Sequence, residues 1–232
     1  MKQKIIGIIG GVGPQATAYL YDQIIQYSQT KYHAQHNDDY PHVIIESVPV
    51  PDFISNTEKM SEALDMLKET VHRFDSSGVD RICIASNTIH ILLPELRPLT
   101  SIPFLSIIEL VSKRCKSYGY QTVGLVGTPV LTDSKLYEKM LKSLGISLIT
   151  PSKEELKIVD AIIRGVMAGK NLFTSKDEYI ALINTLFAQG AESIILGCTE
   201  LPLAIDYTVL GKKVVNSDGV LAEAIADYYY QK

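Results

Sequence analysis

The chain has 232 residues, 46% apolar and 21% charged, with 26 acidic against 22 basic side chains and a formal charge of -4. This balance is ordinary for a globular protein and argues against disorder. With no lysine- or arginine-rich cluster, it also lacks the electrostatic footprint of nucleic-acid or anionic-membrane binding, so the expected partner is a small molecule.

The opening MKQKIIGIIGGVGP starts basic and apolar, but glycine and proline interrupt it and no small-residue cleavage site follows. It reads as a first strand. No stretch approaches the roughly 18 consecutive apolar residues of a membrane span, which makes a cytoplasmic location the expectation. GGVGPQAT, residues 10–17, then carries a loose G-x-G-x-x-A pattern between strand and helix, with Pro14 suited to a first helical position. A dinucleotide fingerprint would need an acidic residue about 20 positions later on the next strand. Glu46 lies about twice that far on. A tight turn presenting amides from Gly11 and Val12 to a small carboxylate explains the glycines equally well.

HVIIESV, RICIAS, PFLSI, TVGLVG, SLITP, SIILGC and KVVNS follow as strands. Between them SEALDMLKETVHRFDSSG and KDEYIALINTLFAQG show helical apolar spacing with a glycine at the C-terminal end. The alternation predicts parallel sheets covered by helices.

The chain also matches itself. IIGIIGGVGPQATAYLYDQI from Ile5 lies without a gap over TVGLVGTPVLTDSKLYEKML from Thr122, placing Gly7 on Gly124 and Gly10 on Gly127. GVDRICIASNT from Gly78 matches GAESIILGCTE from Gly190, with Ser86 and Cys198 at the same step. These pairs predict a duplicated α/β fold: two pseudo-symmetric Rossmann-like lobes with parallel sheets and the active site in the cleft between them. The expected division is 1–104 plus 213–232 in one lobe and 105–212 in the other. Ligands of open α/β sheets bind outside the carboxyl ends of strands, where Ser86 and Cys198 both sit.

After its buried run, RICIASNTIH ends in Ser86, Asn87, Thr88 and His90. Asn87, Thr88 and Thr199, with amides opening the next helix, form a candidate cradle for a carboxylate. Cys198 is at such a helix start, where a thiol's pKa of about 8.5 is commonly lowered. Cys83 and Cys115 read as packing: Cys83 points to the opposite strand face from Ser86, and Cys115 belongs to a helix. The three cysteines lack the paired spacing of a disulfide frame or zinc site. His90 is either a satisfied helix histidine or a pocket donor.

GGVGPQAT, ASNTIH, GCTEL and the closing VVNSDGVLAEA resemble the aspartate/glutamate racemase family over nearly the whole chain. The resemblance implies racemisation of a small-molecule amino acid without pyridoxal phosphate or metal, in a protein that is often a homodimer. In that family two cysteines flank the substrate α-carbon, one removing a proton and the other returning one from the opposite face. Here the first is Ser86 and the second Cys198. A hydroxyl is a poor base unless a neighbour activates it. Family members with a hydroxyl at this position favour the L-substrate, and by analogy Cys198 takes its proton while Ser86 or a water reprotonates. Thr128 and Arg164 complete the candidate substrate contacts. Acidic-amino-acid racemases often carry an arginine where this chain has Phe53 in VPVPDFI, and some carry a lysine where it has Met167. Arg164, one helical turn before Met167, can supply a cation on the same side; without it the substrate's distal group is neutral, apolar or basic. Two alternatives stay open: a one-thiol decarboxylase or isomerase of the same superfamily, and a binding protein for amino or organic acids.

Overall fold

A computed structural model describes residues 4–52, 56–170, 176–207 and 213–231. Every expected strand forms, each at its expected position along the chain. The order is β1 (Ile5–Gly10), α1 (Pro14–Tyr32), β2 (His42–Ser47), α2 (Met60–Ser76), β3 (Arg81–Ile84), a 3-10 turn over Thr88–Leu92, α3 (Leu93–Leu96) and β4 (Phe104–Leu105). There follow α4 (Ile107–Ser117), β5 (Thr122–Val126), α5 (Pro129–Ser134), α6 (Leu136–Ser143), β6 (Ser147–Ile149), α7 (Lys153–Met167), α8 (Lys176–Ala188), β7 (Ser193–Leu196), α9 (Leu201–Ala204), β8 (Val214–Asn216) and α10 (Ser217–Tyr230).

The strands form two four-stranded parallel sheets, ordered β2-β1-β3-β4 and β6-β5-β7-β8. The identical orders are what an internal duplication produces. Its matched glycines have a packing reason. A side chain on Gly7 would come within 2.9 Å of the Phe74 ring of α2, and one on Gly124 within 2.5 Å of Ile194, with Leu186 of α8 just beyond. Gly7 lets α2 lie close on its strand, and Gly124 makes room for the Ile194 side chain of the neighbouring β7.

Contacts within the chain divide it into two units, the first including Glu58–Ile107 and everything from Asp218 on, the second Ile108–Ser217. The strand ladders move two edges of the expected division. Leu105 pairs with Cys83 in the first sheet, and Val214–Asn216 pair with β7 in the second. Hydropathy marks an edge strand without saying which sheet it joins, so only the ladder could place these.

The first core gathers Ile6, Ile8 and Ile9 of β1 with Ile82 and Ile84 of β3, all essentially inaccessible. α10 is pinned to this unit by polar and aromatic contacts. Asp227 receives Lys31 and the Tyr32 hydroxyl, each at 2.8 Å. Tyr230 stacks on Tyr32 with ring centroids 4.0 Å apart. In the second unit Val159, Ile162 and Ile163 of α7 and Tyr179, Leu182 and Ile183 of α8 close over β5 and β7. No described helix is long and apolar enough to cross a membrane.

Candidate functional site

The turn from β1 into α1 is built for close approach. Gly11 has φ +82, and a side chain there would come within 2.5 Å of the Val48 amide at the end of β2. Thr17 Oγ1 accepts the Gly11 N–H at 2.9 Å and donates to the Gly13 carbonyl at 3.1 Å. Pro14 opens α1 as expected. The Gly11 amide is therefore engaged inside the turn, which shifts any anion-binding role toward Val12 and the helix start. Glu46 on β2 is committed to α2. Its carboxylate takes the Thr70 hydroxyl at 2.8 Å and Arg73 Nε at 2.9 Å, and Arg73 holds its pKa below the usual range. This acid is not offered to a ribose.

Ala85 N–H reaches the Ile9 carbonyl at 2.8 Å, carrying the ladder one residue past β3, and Ser86 comes next. Ser86 is 6% exposed, and its hydroxyl oxygen accepts the Ile89 N–H at 3.5 Å. Asn87 and Thr88 are buried beside it. His90 is the satisfied alternative of the two left open by the sequence: Nδ1 meets the Ser86 carbonyl at 2.8 Å and Nε2 accepts the Ile107 N–H at 3.2 Å. Those partners assign the proton to Nδ1 of a neutral ring. The imidazole addresses the Ser86 carbonyl, not its hydroxyl, so it orients the turn without activating the oxygen.

In the second unit Gly197 N–H bonds to the Val126 carbonyl at 2.7 Å, and Cys198 follows with 6% exposure. Its Sγ donates to Glu200 Oε2 at 2.9 Å, and Thr199 Oγ1 donates to the same oxygen at 3.2 Å. The Leu201 N–H closes the turn on the Cys198 carbonyl at 3.1 Å. Glu200 is 4% exposed. Burial pushes its carboxyl up, opposed by the bonds from Cys198 and Thr199.

One expectation changes here. The helix after Cys198 is short, the four-residue α9, so little macrodipole backs a thiolate, whereas the 3-10 turn after Ser86 runs on into α3. The thiol has a carboxylate at hydrogen-bonding distance instead of a positive field. Sequence reasoning passes over Glu200 although its signal is present in GCTE: in a tight turn closing a strand, residues i and i+2 can converge.

Thr128 is buried and caps α5, its Oγ1 accepting the Leu131 N–H at 3.1 Å. The repeat places it in the same position as Gly11. Arg164 Nε is bonded to Asp160 one turn earlier at 2.9 Å, and Met167 packs on the core cluster that contains Cys198. Phe53 lies outside the described residues. Cys83 and Cys115 are fully buried. Burial pushes both thiols up, that of Cys115 to about 12. The structure thus assembles Cys198, Thr199 and Glu200 at the end of β7, and Ser86, Asn87, Thr88 and His90 at the end of β3.

A family model described as Asp/Glu/Hydantoin racemase matches residues 9–225. The chain is 28% identical over 228 residues to the broad specificity amino-acid racemase RacX of Bacillus subtilis (strain 168), covering 97% of this chain and 98% of that one. Among solved structures, Picrophilus torridus aspartate racemase superposes with a TM-score of 0.85 at 27% identity over 99% of this chain and 95% of that one. An aspartate racemase homologue from Pyrococcus horikoshii OT3 gives 0.81 at 29% identity, over 98% and 100%.

Proposed function

Since the chain belongs to the Asp/Glu/Hydantoin racemase family, we propose that it is a pyridoxal-phosphate-independent amino-acid racemase in which Cys198 takes the α-proton of the L-isomer and Ser86 reprotonates the opposite face. The observation that carries this reading is the 2.9 Å bond from Cys198 Sγ to Glu200 Oε2. A thiol must lose its proton before it can act as a base, and the Glu200 carboxylate is the acceptor within reach. The proton moves from sulfur to Glu200, leaving a thiolate. The thiolate then takes the α-proton and is a thiol again, the Ser86 hydroxyl gives its proton to the far side of the carbanion and is resupplied by water, and the hydroxide so formed is neutralised by the proton that Glu200 took, so every group ends as it began.

The substrate side chain follows from what α7 offers. Met167 is apolar and seated on the core, and Arg164 is held by Asp160. An acidic substrate would lose charge-assisted bonds worth about 1.5 to 3 kcal/mol each. The reading is therefore an enzyme of broad range, acting on neutral and apolar as well as acidic amino acids. Incubation with a panel of L-amino acids in D2O is expected to put deuterium at the α-carbon of several of them; no incorporation into any would refute the reading. A one-thiol decarboxylase draws support from the Ser86 hydroxyl, whose partner is an amide rather than a base. It would release CO2 from malonate-type acids and leave a product of one hand.

Glu200 gives the reading a pH signature. It accepts the thiol proton only when ionised, and burial holds its pKa above the usual carboxylate range. Exchange is expected to rise with pH through that elevated value. Glu200→Gln should remove this acid limb and lower exchange by about a hundredfold. Its effect on stability runs the other way. A carboxyl whose folded pKa is raised binds more protons folded than unfolded, so stability falls as pH rises between the two values. At neutral pH the burial cost stands in full, and Glu200→Gln should raise the Tm while exchange falls. A calorimetric scan beside the D2O assay checks both signs.

A further inference from the structure

Behind the Cys198 turn lie two buried tyrosines whose hydroxyls form a chain. Tyr207 Oη donates to the Leu201 carbonyl at 3.0 Å, so the 2.8 Å contact between the two hydroxyls is a donation from Tyr179 to Tyr207. The rings meet edge to face, with centroids 6.4 Å apart. Both belong to the same core cluster as Cys198 and Leu201.

The carbonyl they hold is one that helix geometry leaves open. α9 has only four residues, and Ile205 after it is extended, with φ -144. The last carbonyls of a helix have no intrahelical partner. Leu201 is thus tied through its N–H to the Cys198 carbonyl and through its own carbonyl to Tyr207, and Glu200 lies within the turn that the first of these bonds closes. Phenylalanine at position 207 would take this donor away from the carbonyl of the fully buried Leu201. Buried hydroxyls cost stability unless bonded, and here the bonds they make lead to the turn.

Taking Cys198 as the working thiol, as proposed above, we infer that Tyr207 and Tyr179 are positioning residues that hold Glu200 against Cys198 by fixing the Leu201 carbonyl. Burial, with the charge of Cys198 adding to it, pushes both phenols up, so they remain neutral donors. Among the described residues the side chains bonded to the Glu200 carboxylate are the Cys198 thiol and the Thr199 hydroxyl; Tyr207 and Tyr179 of α8 lie behind the turn, bonded to the Leu201 carbonyl and to each other.

The test uses the full chain carrying carboxyl-13C glutamate, with the Glu200 signal assigned by its loss in Glu200→Gln. Tyr207→Phe frees the turn and lets Glu200 reach water, so its NMR midpoint is expected to fall toward the usual carboxylate range. The acid limb of α-proton exchange should move down with it, kcat should drop about tenfold, and KM should stay within about twofold. Tyr179→Phe should shift the midpoint the same way by less, because the Tyr207–Leu201 bond survives. A Tyr207→Phe chain that melts earlier but keeps the parent's midpoint and acid limb would overturn the inference. Should Tyr207→Phe fail to fold, Tyr179→Phe decides by the same two readouts. If the parent exchanges no substrate at all, the racemase reading falls, and the NMR midpoint still judges the tyrosines.

Discussion

Cys198→Ala is expected to bring α-proton exchange down by at least about a thousandfold, the size of effect associated with removing the group that takes the proton. The fold should survive. The thiol is small, sits in a turn past the end of β7 and makes its polar contact with Glu200, so truncation leaves little void. That loss of partner leaves Glu200 buried with the Thr199 hydroxyl, and a modest fall in Tm is expected. Near-background exchange together with a cooperative melt places the defect in the chemistry. The same thiol should be the one alkylated by iodoacetamide in the folded chain, because Cys83 and Cys115 are sealed in the core and burial opposes their ionisation. Mass spectrometry of the labelled peptide checks this directly, and modification of Cys83 or Cys115 ahead of Cys198 would count against the assignment.

Ser86→Cys is expected to work in the opposite direction, raising exchange about tenfold to a hundredfold and bringing the rates from the two isomers closer together. A thiol, with a pKa of about 8.5, can both give and take a proton near neutral pH, whereas a serine hydroxyl needs an activating neighbour. Here His90 binds the Ser86 carbonyl and the hydroxyl oxygen accepts from the Ile89 amide, an arrangement that holds the turn in shape. The substitution changes one atom in a buried turn and should be tolerated. Chiral chromatography of product from L- and D-substrates reads the outcome. A variant that binds substrate, stays folded and shows no gain in exchange from the D-isomer would show that position 86 does not face the reacting carbon in the way the mechanism asks.

Much of the fold was legible because its signals are local. A short apolar run bounded by glycine, proline or polar residues needs no distant information to become a strand, and all eight expected runs did so. The repeat was legible for the same reason: Gly7 and Gly124 each make room for a neighbouring side chain over a central strand, Phe74 of α2 in one half and Ile194 of β7 in the other, and that need recurs at the same step in both halves. The lobe edges at Leu105 and Val214–Asn216 were not, since an edge strand's hydropathy is the same whichever sheet it joins. The placing of Ser86 and Cys198 just beyond β3 and β7 followed from the alternation of strand and helix. The chemistry around them did not. A helix start was expected to support Cys198, and α9 is too short for that to amount to much.

By itself the sequence determined two parallel α/β units, a serine and a cysteine at matching strand ends, and a kinship with amino-acid racemases, because hydrophobic period, glycine spacing and motif order are written along the chain. The tertiary structure alone decided that Cys198 faces Glu200, that both nitrogens of His90 are engaged in bonds to backbone groups, and that Arg164 is held by Asp160 while Met167 packs on the core. Those outcomes depend on side-chain rotamers and on distances of a few ångströms between turns. They are set by how each helix packs on its sheet and by which buried polar groups must find partners, and no spacing along the sequence encodes them.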